Sequence, residues 1–266
     1  MFGYFTFPNA TCLILEYALG SNLEKLANDF YRKILFKNNN RYDTQHEANT
    51  TKPVDKNTKP EAKPQRKIWI DFMSEDLIRY FIYKIASSLA YLKTLNLVHL
   101  DLCLKNIFLT KNFNVKLGDY GGSKLIKQGE NFKYEVKPSC LTVFVPPECL
   151  TNKSISNDDA YKIDIYSMGV IMFKLLTNKY PLSEEMLKIK DEKGNVDQDK
   201  VQKIKEKLSI EGIKKSVEEE RGETSKELID LIADSMNYEE RTRIDIYRFL
   251  RNQWLLKDFE RIEGNL

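Results

Sequence analysis

Apolar positions recur along this chain in two rhythms. Phe2, Tyr4 and Phe5, and then Cys12-Leu13-Ile14-Leu15-Glu16-Tyr17, form short apolar runs separated by Pro8-Asn9, which predicts two β-strands and a turn. Gly20-Ser21-Asn22 supplies a turn and a helix cap, after which Leu23, Leu26, Ala27 and Phe30 recur at helical spacing. Ser74-Glu75-Asp76 caps a long amphipathic helix whose buried stripe is Leu77, Phe81, Ile85, Leu89 and Leu92. Leu97-Val98-His99, Ile107-Phe108-Leu109 and Val115-Lys116-Leu117 read as strand-like segments. From Ile163 to Leu176 the chain is apolar nearly all round, so that helix is expected to be buried on most sides. Two further helices are predicted around Lys226–Met236 and Ile244–Leu255. The expected fold is α+β, mainly α: a helical body with a stub of sheet at its start.

The stretch from Lys37 to Lys67 breaks both rhythms. Asn38-Asn39-Asn40, Thr50-Thr51-Lys52-Pro53 and Lys59-Pro60-Glu61-Ala62-Lys63-Pro64 hold almost no apolar residues. Such a stretch cannot offset its ordering entropy, and 37–67 reads as a disordered polar insertion inside one domain. Composition narrows the function classes further. Charged residues make up 30% of the 266-residue chain but the net charge is only +3, so no strong field points to nucleic acid or a membrane surface. Lys and Glu interleave in Glu184–Lys207. Cys12, Cys103, Cys140 and Cys149 form no C-x-x-C pair, which suits a reduced protein of the cytosol or nucleus, and two histidines make a zinc site improbable. No apolar run approaches the roughly 20 residues that span a bilayer. The start of the chain lacks the basic and long apolar regions of a secretory signal.

The run His99-Leu100-Asp101-Leu102-Cys103-Leu104-Lys105-Asn106 matches the protein-kinase catalytic-loop pattern H-R-D-L-x-x-x-N at every fixed position but one. It is followed by Asp119-Tyr120-Gly121, by Pro146-Pro147-Glu148 where kinases carry A-P-E, and by Asp164-Ile165-Tyr166-Ser167-Met168-Gly169. The chain therefore resembles the eukaryotic protein-kinase superfamily, of the Ser/Thr type and weakly Aurora-like. The resemblance implies a kinase-like fold, with residues 1–17 as a remnant of the small lobe and hinge and 18–266 as the helical large lobe. It implies Asp101 as catalytic base, Asn106 and Asp119 as magnesium ligands, and Lys105 as a cation near the transferred phosphate. In the hinge, Glu16 and Ala18 would hold the adenine of ATP, with Leu15 as gatekeeper and Phe108 as floor. Asp164 would hydrogen-bond the catalytic-loop backbone, and Arg241 would pair with Glu148. The expected partner is a protein substrate or other protein, for a monomer.

Several positions depart from the family pattern. No G-x-G-x-x-G occurs in the chain, and no V-A-I-K lysine precedes the hinge, so the first residues correspond to the middle of a small-lobe strand. Leu100 replaces the arginine that receives an activation-segment phosphate, which implies no switching of that kind despite Tyr134, Ser139 and Thr142. Cys103 stands where Ser/Thr kinases carry lysine, and Lys105 where tyrosine kinases carry arginine. Three readings remain open: an ATP- and magnesium-dependent Ser/Thr kinase, a pseudokinase acting as a protein-binding module, and a fragment from an incomplete gene model. The missing elements predict poor activity for the chain as written.

Overall fold

The computed structural model describes residues 3–7, 10–32, 73–127, 132, 134, 142–151 and 155–257. The polar insertion at 37–67, the Pro8-Asn9 turn and Ser139 lie outside the described residues. At the start, β1 (Gly3–Phe7) and β2 (Ala10–Ile14) pair antiparallel, with Gly3 opposite Ile14. Helix α1 covers 23–32; the Asn22 side chain accepts the amide of Lys25 at 2.9 Å and so caps it as its spacing predicts.

The body is built on two long helices. Helix α2 (Glu75–Thr94) starts at the Ser74 cap, whose hydroxyl accepts the Leu77 amide. Its buried face is wider than the predicted stripe, because Ile78, Ile82 and Ala86 join Phe81, Ile85, Leu89 and Leu92. Strands β3 (Leu97–Val98), β4 (Ile107–Leu109), β5 (Val115–Leu117) and β6 (Lys124–Leu125) follow as two small antiparallel pairs, β3 with β6 and β4 with β5. After α3 (Pro147–Leu150), helix α4 (Asn157–Thr177) runs through the centre of the body, buried from Ile163 onward on nearly every side. Gly169 lets the segment Ser235-Met236 approach α4 closely: a Cβ there would stand 2.5 Å from Met236 Cγ and 2.9 Å from Ser235 Cβ.

Helices α5 (Glu184–Leu187), α6 (Gln198–Leu208) and α7 (Ile210–Glu220) lead to α8 (Lys226–Ser235). The α6–α7 pair was not read from the sequence as helical. Its charged outer face conceals Val201, Ile204 and Leu208 in α6 and Ile213 and Val217 in α7, spaced three or four apart within each helix and buried. The helix predicted over Ile244–Leu255 is two short ones, α9 (Ile246–Leu250) and α10 (Gln253–Leu256). Asn252 separates them, because its side chain accepts the Trp254 amide at 2.9 Å and caps a new start. No helix among the described residues is long and apolar enough to cross a membrane.

The start of α2 is tied to the far end of the chain through Glu75. Its carboxylate accepts from Ser225 N at 2.9 Å, Ser225 Oγ at 2.6 Å and Trp254 Nε1 at 2.9 Å. Burial pushes the Glu75 carboxyl up, but the Ser225 bonds, the Trp254 bond and the Arg221 charge together outweigh it and hold the group below its ordinary value. A lowered acid stabilises the fold above the ordinary Glu value of 4.5, and that contribution is lost as pH falls through the lowered one. Urea unfolding at about pH 6 and about pH 3 should therefore show a smaller loss for Glu75→Gln than for the unaltered chain. Equal losses would contradict the assignment.

Candidate active site

Two short strand pairs and the central helix bring the kinase-like residues together. The loop begins where β3 ends. His99 N and Leu100 N donate to Asp164 Oδ2 and Oδ1 of α4, at 2.8 and 2.9 Å. Asp164 is therefore the loop anchor that the resemblance implied. Burial drives its carboxyl upward, opposed by the charge of His99 and by these two amides. The two bonds also hold Leu100 at φ 63, a left-handed backbone that costs a non-glycine residue about 1–3 kcal/mol.

From that anchor the loop turns through a short 3₁₀ segment, Leu104–Asn106, into β4. Asn106 Nδ2 donates to Asp101 O at 2.8 Å, fixing the two residues relative to each other. The β4–β5 hairpin then returns the chain: Gly118 N donates to Asn106 O at 2.9 Å, and Gly118 O lies 3.1 Å from His99 Nε2. Asp119, the next residue, is thereby held beside the loop with φ 59, its Oδ1 accepting Gly121 N at 3.4 Å. Ser123 Oγ donates to His99 O at 3.2 Å and closes the ring of contacts. Asp101, Asn106 and Asp119 thus share one small framework. The Asp101 carboxylate and the exposed Lys105 ammonium have no hydrogen-bond or ion-pair partner among the described residues.

Cys103 is buried within this turn, and burial pushes its thiol up, which keeps it neutral. Leu100 is packed in an apolar cluster with Val98, Phe132, Val145 and Ile163, where an arginine would have to bury its charge. Tyr134 Oη reaches Leu100 O at 3.5 Å, and Tyr120 lies tilted against the His99 ring at 4.9 Å.

The hinge-like segment is bound to the same hairpin. Gly20 N donates to Leu109 O and Leu109 N to Ser21 O, each at 2.8 Å, and Asn22 bridges Phe108. Glu16 pairs with Lys116 of β5 at 3.2 Å, and both side chains are half exposed. Phe108 is half-buried against Gly118, where an added Cβ would stand 2.6 Å from the ring. Leu15 is 62% exposed and Ala18 half-buried. No group of three or more His, Cys, Asp or Glu among the described residues forms a metal cluster.

One residue predicted from the sequence is corrected. Glu148 of α3 pairs with Arg243, not Arg241: Nη1 and Nη2 reach Oε1 and Oε2 at 2.8 and 3.0 Å. Arg243 is buried and also donates to Asn237 O and Lys162 O, and its guanidinium lies over the Tyr166 ring. Arg241 is exposed, and its carbonyl accepts from Lys162 Nζ at 2.9 Å. The two arginines stand two apart, and Arg243 is buried where Arg241 is exposed. The available signal was that Arg243 directly precedes buried Ile244.

A mainly helical body, a catalytic-type loop anchored on a central buried helix, and a buried Glu–Arg pair behind it define the large-lobe architecture of protein kinases. The family model described as protein kinase domain matches residues 62–255, and the chain belongs to that family. A probable serine/threonine-protein kinase PLK of Dictyostelium discoideum is 34% identical over 118 residues, 44% of this chain and 11% of its own length. A probable cell cycle serine/threonine-protein kinase CDC5 homolog of Encephalitozoon cuniculi is 31% identical over 186 residues, 70% of this chain and 35% of its own. An Aurora kinase of Debaryomyces hansenii is 32% identical over 106 residues, 40% of this chain and 24% of its own. The matches thus span between 11 and 35% of the length of these three relatives.

Proposed function

We propose that this chain carries the phosphoryl-transfer site of a protein serine/threonine kinase that uses ATP and magnesium. The observation that supports the reading is the bonded chain Asp101–Asn106–Gly118, which ties the backbone of Asp101 to Asn106 and to the residue preceding Asp119. The donor set fits magnesium. Asn106 commits its amide nitrogen to Asp101 O, which leaves its oxygen free, and Asp119 adds a carboxylate; magnesium is commonly held by one or two carboxylates alongside phosphates. When bound, Mg-ATP supplies the transferable phosphoryl group and the cation that neutralises its oxygens.

The chain's own residues then do the positioning. Asp101 orients the hydroxyl of a substrate serine or threonine and accepts its proton on a carboxylate oxygen. Lys105 brings its unpaired ammonium to the transferred phosphate, in place of the lysine that Cys103 replaces. Backbone groups of Glu16 and Ala18 hold the adenine edge, with Leu15 behind it and Phe108 beneath. In this reading residues 1–17 end in the hinge and 18–266 act as the large lobe. Two buried free thiols, Cys103 and Cys149, suit a reducing intracellular compartment. A second reading, a non-catalytic kinase domain that binds protein partners, draws support from buried Leu100 and neutral Cys103.

Thermal unfolding separates the two. If the site holds nucleotide, Mg-ATP at about a hundredfold excess over its Kd should add about 2.7 kcal/mol, a rise of several degrees in Tm. Asp119→Asn should remove most of that rise. An identical Tm with and without Mg-ATP would favour the non-catalytic reading.

A further inference from the structure

We propose that the acidic cavity between the end of α7 and the start of α8 docks a basic segment of this same chain, residues 59–67. The cavity encloses about 660 Å³. Glu75, Glu218 and Glu223 supply its carboxylates, Thr224 and Ser225 its hydroxyls, and buried Ile229 an apolar wall. No lysine or arginine among the described residues lines it. Glu75 already accepts from Ser225 and Trp254, whereas the Glu218 and Glu223 carboxylates have no hydrogen-bond or ion-pair partner among the described residues. The Thr224 hydroxyl is buried and likewise has no partner among them. Two unpaired carboxylates and a spare hydroxyl oxygen lack a cationic donor, and an apolar wall accommodates the methylene stem that carries one.

The surroundings sharpen the deficit. Helix α7 ends on Glu218-Glu219-Glu220, with no basic residue in its last turn, where the helix dipole already disfavours negative charge. The neighbouring cations are engaged elsewhere. Arg221 donates to Met73 O at 2.9 Å and Leu176 O at 3.4 Å, and exposed Lys226 pairs with Asp230 at 2.6 Å. Chain geometry supplies the occupant. By holding the Met73 carbonyl, Arg221 pins the entry to α2 beside Gly222, which lines the cavity. Lys67 precedes Met73 by six residues, a span of at most about 21 Å. The run that ends there, Lys59-Pro60-Glu61-Ala62-Lys63-Pro64-Gln65-Arg66-Lys67, carries four cations against one carboxylate and lies outside the described residues. So short a tether keeps the effective concentration high, so ion pairs that are weak one by one suffice.

The test is zero-length carbodiimide cross-linking of the full chain, which joins lysine amines to carboxylates in contact and is read by mass spectrometry, alongside limited trypsin cleavage. Lys63 or Lys67 should link to Glu218 or Glu223 within one chain, and about 1 M salt should remove those links. Cleavage after Arg66 and Lys67 should be slow. Glu218→Gln/Glu223→Gln should speed it by about tenfold or more while leaving cleavage after Arg41 unchanged. The cross-links are read on the unaltered chain and so stand whether or not the variant folds. Links spread evenly over exposed carboxylates such as Glu184 and Glu192, or cleavage unmoved in the folded variant, would overturn the proposal. In an equal mixture of isotopically light and heavy chains, links joining light to heavy would assign the occupant to a second copy and also overturn it. None of the residues named in the cavity belongs to the site around Asp101, so failure here leaves the kinase reading intact, and Mg-ATP stabilisation on the same samples tests that reading separately.

Discussion

Arg243→Ala should lower the stability of this chain by about 3–5 kcal/mol, because it leaves the Glu148 carboxylate buried without its charge partner. Both side chains are almost wholly inaccessible, at 0% for Arg243 and 3% for Glu148, so water cannot replace the lost guanidinium. The same change strips donors from Asn237 O and Lys162 O and removes the cation over Tyr166, whose hydroxyl has no hydrogen-bond partner among the described residues. Arg241→Ala, two positions away and exposed, should change stability by no more than about 0.5 kcal/mol. Urea unfolding of both variants measures the contrast directly. If the two lose stability equally, the pairing is misassigned. A double variant, Arg243→Met with Glu148→Leu, should regain much of the loss, since well-packed apolar residues can replace a buried pair at little cost.

The second large effect lies in the chemistry. Asp101→Asn should slow phosphoryl transfer to serine by a factor of about 10² to 10⁴, the usual contribution of a positioned general base. The substitution preserves shape and keeps the backbone carbonyl that Asn106 bonds, so it should leave Mg-ATP stabilisation intact. Asp119→Asn should instead lose nucleotide-dependent stabilisation and rate together, because Asp119 is assigned to the metal. Radiolabelled phosphate transfer and thermal unfolding on the same preparations separate the two roles. A variant at Asp101 with unaltered transfer would remove it from the chemistry.

What could be read from the sequence followed local rules. Ser74 as a cap, the all-round apolar α4, and the strand segments beside the catalytic run each follow from spacing within a few residues, and each stands where expected. The candidate site was legible for the same reason: Asp101, Asn106 and Asp119 occur in a compact, ordered signature. The contacts that join them were not legible. The Gly118 carbonyl near His99 and the Asn106–Gly118 amide bond depend on how a hairpin folds back, and backbone groups carry no side-chain identity to read. The α6–α7 pair was missed because five apolar positions are diluted by lysine and glutamate on the exposed side. Arg241 and Arg243 share a chemistry, so residue type alone does not tell which of them is buried against Glu148. The break between α9 and α10 turns on one asparagine acting as a cap inside an apparently continuous pattern.

The proposed function requires Asn106 and Asp119 to grip one metal ion next to Asp101. Backbone NMR of the chain titrated with manganese-ATP reads that directly, because the paramagnetic ion broadens only nearby amides and favours the same oxygen donors as magnesium. Selective broadening is expected at Asn106, Gly118 and Gly121, and Asp119→Asn should abolish it. Broadening centred elsewhere, on α6 and α7 for instance, or none at all, would contradict it.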